Sequence, residues 1–399
     1  MEQIKWVHNQ MAKTEDETLP VMAVKEIEKV QNFHQSFPMY EVTPLQSLQH
    51  LAGYYGLGGI YVKDESYRFG LNAFKVLGGS AAMGKHIAKV LGKDLSELTY
   101  DSFTSDDTKK QVGEITFFTA TDGNHGRGVA WSANKLGQKS VVFMPKGSQA
   151  IRLHNIQKEG AIATIEEVNY DECVRLATAA ANKTPGGVVV QDTAWDGYTE
   201  IPAWIMQGYG TMVKEALDQL GKKPTHVFVQ AGVGSLAGAV IGYVANRYPE
   251  GGITNVVVEA SEAACLYKSA KAGDGQIRIV TGDMPTIMAG LACGEPNTIS
   301  WEILKNHTDY FVSCPDWVAA KGMCVLGAPL KGDPQVISGE SGAVPLGFLA
   351  SLMEDENLKS LKDELGLNEE SVVLLFSTEG DTDPDHYRHI VWNHHFEEE

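Results

Sequence analysis

The sequence predicts an α/β protein built on mostly parallel sheets. Three observations carry that expectation. Short β-rich runs recur at 59–63, 115–120, 140–144, 188–191, 225–230, 255–259 and 372–376. Helical segments separate them, which is the pattern of parallel sheets covered on both faces. Loops dense in glycine, threonine, asparagine and serine follow several of the runs. In such sheets ligands sit outside the carboxyl ends of the strands, so those loops are the places to look for chemistry.

Composition bounds the rest. The chain has 399 residues, 43% hydrophobic and 21% charged, which excludes wholesale disorder. That length suits two or three domains, or one body with two lobes. The net charge of −18 repels phosphate backbones, so no nucleic-acid partner is expected. Met1–Gln10 lacks the basic-then-apolar order of a signal peptide. Val227–Asn246 is uncharged but holds four glycines with Gln230 and Ser235, and it reads as strand, loop and buried helix. No membrane span is expected. Five cysteines without a C-x-x-C point to a cytoplasmic protein with reduced thiols. Whether Cys265 and Cys293 pair is not readable from their spacing. The acid-rich segment Asp94–Val112 reads as a solvated surface excursion, and Glu397–Glu399 as an exposed tail. His386, His389, His394 and His395 cluster near the end, but no cysteine or strand-anchored acid completes a set, so no metal is expected.

Four loops remain. In the first, Lys75 sits among Ala73, Phe74, Val76 and Leu77, at the start of a helix read over Ala73–Leu91. Apolar surroundings favour a neutral, nucleophilic amine, and a cation is misplaced at a helix N-terminus. A surface lysine with a buried stem fits that segment too. In the second, Thr121-Asp122-Gly123-Asn124-His125 follows a strand and precedes a helix, where N–H groups suit a carboxylate. An ordinary capped turn is the other reading. In the third, Gly232-Val233-Gly234-Ser235 can cradle a phosphate. It also fits G-x-G-x-x-A with Glu259 ending the next strand, which leaves a nicotinamide enzyme open. In the fourth, Ser377 and Thr378 follow an apolar strand, and their hydroxyls could meet a ring nitrogen or cap a helix.

Together these loops resemble the fold-type II pyridoxal-phosphate (PLP) enzymes, the tryptophan synthase β and threonine dehydratase group. Ala73-Phe74-Lys75 looks like that group's Ser-Phe-Lys, and Thr121 to His125 like its Ser-x-Gly-Asn-His. The resemblance implies that Lys75 bonds the cofactor covalently, beside Phe74. It implies that Asn124 contacts the cofactor's phenolic oxygen, that Thr121, Asp122 and Gly123 bind the substrate carboxylate, and that Ser377 meets the ring nitrogen. Gly232, Val233, Gly234 and Ser235 would take the phosphate, with Ala231 and Val233 replacing two of the usual glycines. The fold so implied has two lobes, each with a mostly parallel, helix-covered sheet. Residues 1–80 and 194–399 would form the large domain and 81–193 the small one.

More narrowly, Arg68–Lys75, Thr121–Trp131, Val190–Trp195, Thr286–Pro296 and Ser338–Ala343 resemble the diaminopropionate ammonia-lyases. The resemblance implies α,β-elimination of both isomers of 2,3-diaminopropionate to pyruvate and ammonia. The two α-protons point to opposite faces of a planar adduct, so two bases are needed. Lys75 is expected to serve the L isomer and Asp122 the D isomer, because dehydratases carry a small neutral residue where Asp122 stands. Asp192, after another strand, is expected to hold the distal ammonium. A homodimer is the expectation for this family. A threonine or serine dehydratase shares Lys75 and Asn124 but has little need of Asp122. A nicotinamide oxidoreductase leaves Lys75 and the Thr121 loop unexplained.

Overall fold

The computed structural model describes residues 2–14, 19–121 and 123–394. Asp122, His395 and Glu397–Glu399 lie outside the described residues. Its strands are, in chain order, β1 (Lys5–His8), β2 (Leu45–Ser47), β3 (Gly59–Asp64) and β4 (Thr116–Ala120). Then follow β5 (Lys139–Met144), β6 (Ile162–Ile165), β7 (Gly187–Val189) and β8 (His226–Gln230). The last three are β9 (Thr254–Ala260), β10 (Tyr310–Cys314) and β11 (Val372–Ser377).

The chain forms two compact units. Unit 1 comprises Met1–Pro20, Val42–Ala73 and Met212–Glu399. Unit 2 comprises Val21–Glu41 and Phe74–Thr211, and so takes in three segments beyond 81–193.

Unit 1 holds a seven-stranded sheet in the order β1-β10-β9-β8-β11-β3-β2. Its five central strands are parallel, and β1 and β2 pair antiparallel at the two edges. The central strands are buried along nearly their whole length, as a sheet covered on both faces requires. Ile60, Val62, Phe228, Val256, Val258, Val373 and Leu375 pack with Val344 and Phe348 of the helix Glu340–Glu354. Just beyond β3 lies a buried ionic cluster. Arg68 donates to Glu65 Oε1 at 2.8 Å and to both oxygens of Glu215, at 3.0 and 2.7 Å. Lys63 Nζ lies 2.7 Å from Glu215 Oε2, and these side chains are 0–1% exposed. The cluster fixes the chain segment that leads to Lys75.

Unit 2 holds a four-stranded, all-parallel sheet in the order β6-β5-β4-β7. Ala130, Val142, Met144 and Ile156 form one apolar cluster on it, and Phe118, Ala177 and Ala181 another. Three glycines bring helices into close contact in this unit. A Cβ on Gly128 would meet Val76 N at 2.8 Å, one on Gly208 would meet Leu77 O at 2.2 Å, and one on Gly78 the Tyr209 ring at 2.7 Å. The helix Val76–Val90 is therefore locked against its neighbours at the end that carries Lys75.

All seven expected strands are present within one or two residues of their predicted bounds. Four more are not evident from sequence. Among them β2 is only three residues long, and β10 is wholly buried and shows no alternation. The acid-rich segment is not simply a solvated excursion. It contains the helical turns Leu95–Glu97, Tyr100–Thr104 and Asp106–Val112, and buried Phe103 packs edge-on against Phe33 at 5.1 Å. No helix among the described residues is long and apolar enough to cross a membrane.

Candidate functional site

In unit 2, Lys75 is the residue from which the helix Val76–Val90 starts. Its Nζ lies 2.5 Å from Asp192 Oδ2, with side chains 23% and 8% exposed. Asp192 follows β7, and 117 residues of chain separate the pair. Burial acts to raise the Asp192 pKa, but the Lys75 ammonium and then His125 outweigh it and hold the carboxyl well below the usual carboxylate range. His125 Nε2 donates to the carbonyl of Val190 at 2.9 Å, because a carbonyl can only accept. That fixes the ring with Nδ1 3.9 Å from Asp192 Oδ2, too long for a hydrogen bond. Phe74 packs on Tyr209 with ring centroids 4.6 Å apart, and the buried Tyr209 hydroxyl has no hydrogen-bond partner among the described residues.

The Thr121 loop departs in part from its expected use. Thr121 Oγ1 accepts from Gly123 N at 2.9 Å and from Gly126 N at 3.1 Å, so these two N–H groups close the turn. Asn124 opens the helix Asn124–Lys135. Asp122 falls outside the described residues.

In unit 1, β8 ends in Gln230, and Gly234 stands immediately before the helix Ser235–Arg247. Gly234 has φ +99°, a left-handed conformation strained for any side chain. A Cβ there would come within 2.9 Å of Ser300 Oγ. Asn297 braces the turn: its N–H donates to Val233 O at 2.7 Å and its Nδ2 to Ser235 Oγ at 2.8 Å. The result is a backbone cradle at a helix N-terminus, which suits a phosphate. Ser377 ends β11, fully buried, with its hydroxyl on Ser338 at 2.8 Å.

These residues fit PLP. Within unit 2 a lysine amine is held by a buried acid; within unit 1, taken by itself, a glycine turn leaves room where a Cβ would intrude, and a buried serine ends β11. The dinucleotide reading fails at Glu259. Its carboxylate accepts from Leu266 N at 2.8 Å and Tyr267 N at 2.6 Å, capping the helix Cys265–Ala272. Burial, working against those two bonds, pushes its pKa up to about 8. A buried acid committed to the start of the next helix is no ribose-binding acid. His386 Nδ1 lies 2.8 Å from Glu340 Oε1, and all five cysteines are unbridged. Sequence reasoning missed the place of His125 beside Asp192, the Asn297 brace and the Ser338 partner of Ser377. His125 and Ser338 lay within recognised segments, whereas Asn297 carried no local signal.

The model of the pyridoxal-phosphate dependent enzyme family matches residues 37–377. The chain is 53% identical over 366 residues to a diaminopropionate ammonia-lyase from Salmonella typhimurium, covering 90% of each protein. It is 50% identical over 380 residues to the one from Escherichia coli K12, covering 94% of each. The crystal structure of diaminopropionate ammonia lyase from Escherichia coli in complex with D-serine superposes with a TM-score of 0.91 at 45% identity. The superposition covers 98% of this chain and 97% of that one. The chain thus belongs to the pyridoxal-phosphate-dependent enzymes, as a fold-type II member among the diaminopropionate ammonia-lyases.

Proposed function

We propose that this protein catalyses α,β-elimination of 2,3-diaminopropionate, in both D and L forms, to pyruvate and two ammonia molecules with uptake of one water. The part-buried Lys75–Asp192 pair carries this reading, together with the 50–53% identity to diaminopropionate ammonia-lyases. PLP, when bound, supplies an electron sink for the carbanion left by loss of the α-proton.

The chain's own residues supply the rest. Lys75 Nζ would hold the cofactor covalently and, as a free amine, would accept the α-proton of the L isomer. Asp122 accepts that of the D isomer from the other face. The loop of Thr121, Asp122 and Gly123 binds the substrate carboxylate, with Thr121 shaping the turn through its bonds from Gly123 and Gly126. Asn124 contacts the cofactor's phenolic oxygen and Phe74 packs beside it. Gly232, Val233, Gly234 and Ser235 bind its phosphate, and Ser377 meets its ring nitrogen. Asp192, ionised through neutral pH, exchanges the Lys75 ammonium for the substrate's distal ammonium and keeps that group protonated, so that it leaves as ammonia. A cytoplasmic homodimer completes the proposal. The five unbridged cysteines suit a reducing compartment, and light scattering of the purified protein tests the dimer.

Borohydride reduction of the holoenzyme followed by peptide mapping is the test of the cofactor site. The pyridoxyl label should fall on Lys75 and vanish in Lys75→Ala. Label on another lysine, such as Lys85, would overturn the assignment. A panel of both diaminopropionate isomers, serine and threonine, scored by pyruvate and ketobutyrate, tests the substrate.

A further inference from the structure

Tyr209 carries a buried hydroxyl that is not spent on the fold. It lies in the part of the helix Glu200–Leu220 that belongs to unit 2, as do Lys75, His125 and Asp192. Tyr209 is 1% exposed, and its hydroxyl bonds to no described residue. A buried donor left unbonded is costly. The neighbours of Lys75 set its place. The ring packs on Phe74, one residue before Lys75, with centroids 4.6 Å apart. It also packs on Gly78, three residues after Lys75, where a Cβ would stand 2.7 Å from the ring. Residues three apart share a helix face, so the ring lies against the end of the helix that carries Lys75. Burial pushes the phenol's pKa up, the Lys75 charge pulls it down, and the Asp192 charge adds to the rise. The phenol therefore feels both charges and stays a protonated donor at neutral pH. The other groups beside Asp192 have their hydrogens committed. Tyr198 accepts from Gln191 N at 2.8 Å and donates to the Val189 carbonyl at 3.0 Å. A neutral His125, donating through Nε2 to the Val190 carbonyl, has only a lone pair at Nδ1.

Lys75 Nζ, as an ammonium, has three hydrogens and serves Asp192 at 2.5 Å. Condensation with the cofactor aldehyde takes them away. The ammonium loses one proton, the amine gives two hydrogens and the aldehyde its oxygen to one water, and a C=N bond forms. The nitrogen then carries at most one proton. We propose that Tyr209 is a positioning residue whose hydroxyl takes over from Lys75 as a donor to Asp192 while Lys75 is bonded to PLP. Once Nζ withdraws, the carboxylate turns to the phenol. This rests on the reading that Lys75 bonds the cofactor. The exchange keeps the Asp192 carboxylate ionised and aimed, ready for the substrate's distal ammonium.

The experiment measures PLP dissociation constants by equilibrium dialysis for the wild type, Tyr209→Phe, Asp192→Asn and the double variant. Urea midpoints are taken for each protein, stripped of PLP and saturated with it. Tyr209→Phe removes one hydroxyl and keeps the ring. A hydrogen bond to a charged group is worth about 10- to 150-fold, so the PLP dissociation constant should rise by about that factor. The stripped variant should unfold at the wild-type urea midpoint or above it, because the hydroxyl it lacks was unbonded there. In the Asp192→Asn background the same substitution should cost several-fold less, since no carboxylate remains to be served. An unchanged dissociation constant in Tyr209→Phe overturns the proposal. An equal loss in both backgrounds also overturns it, and leaves Tyr209 as packing for Phe74. A stripped Tyr209→Phe that unfolds more easily, or does not fold, shows a hydroxyl already bonded without PLP and refutes the exchange. Borohydride labelling of the wild type separates the two readings: a pyridoxyl label away from Lys75 removes the cofactor assignment and the proposal with it, whereas a label on Lys75 leaves the dialysis to decide on Tyr209 alone.

Discussion

Asp192→Asn separates two jobs of one carboxylate. The substitution keeps the shape and removes the charge 2.5 Å from Lys75 Nζ. A hydrogen bond to a charged group is worth about 1.5–3 kcal/mol. Losing the bond to the substrate's distal ammonium should therefore lower kcat/KM for diaminopropionate about 10- to 150-fold. Serine carries a neutral hydroxyl at the same carbon and has no distal ammonium to lose. Any effect passed through Lys75 acts on both substrates and cancels in their ratio. The assay is pyruvate release from L-diaminopropionate and L-serine by the same preparation, with cofactor content matched. The diaminopropionate-to-serine ratio of kcat/KM should fall by most of the predicted factor. An equal loss on both substrates would refute the ammonium role and leave Asp192 acting through Lys75 alone. The wild type adds a pH check. The folded pKa of Asp192 is depressed, so its charge is present at neutral pH and lost only as pH falls through that low value. No loss of rate in the mildly acidic range should trace to this group.

Gly234→Asp sets a carboxylate in a cradle proposed for phosphate, at a left-handed φ, and should raise the PLP dissociation constant by orders of magnitude; Gly234→Ala should raise it less, and equilibrium dialysis measures both. Glu215→Gln leaves Arg68 and Lys63 with Glu65 as their remaining acidic partner in the cluster, and should cost about 3–5 kcal/mol in urea unfolding at neutral pH. Burial raises the Glu215 pKa, but Arg68 and Lys63 outweigh it and hold it down to about 2. Its contribution is therefore complete above the unfolded carboxyl value of about 4.3 and is lost as pH falls toward about 2, so wild type and Glu215→Gln should converge in acid melts. Asp122→Asn should lower turnover of D-diaminopropionate about 10²–10⁴-fold and that of the L isomer less; equal losses would make Asp122 a binding residue.

The strand–turn–helix geometry around the candidate residues was legible because its signals are local. A β-rich run, a glycine turn and a helix start lie within about a dozen residues, so the Gly232–Ser235 turn between strand and helix could be read directly. The same locality misled at Glu259, where the spacing suited a ribose acid but the carboxylate turns into the next helix. It misled again at Asp94–Val112, where charge density hid the anchor at Phe103.

The sequence alone determined the strand–helix alternation and the family, since periodicity and motif order are properties of neighbours along the chain. Tertiary structure decided which distant groups meet. It brought Asp192 to Lys75 across 117 residues, set His125 beside that acid, and spent two N–H groups of the second loop on Thr121. It joined Ser377 to Ser338 across 39 residues, and Arg68 to Glu215 across 147. Such pairs leave no spacing rule in the sequence. They form because groups buried by the packing of helices on sheets must find polar partners, and only the folded chain determines which are in reach.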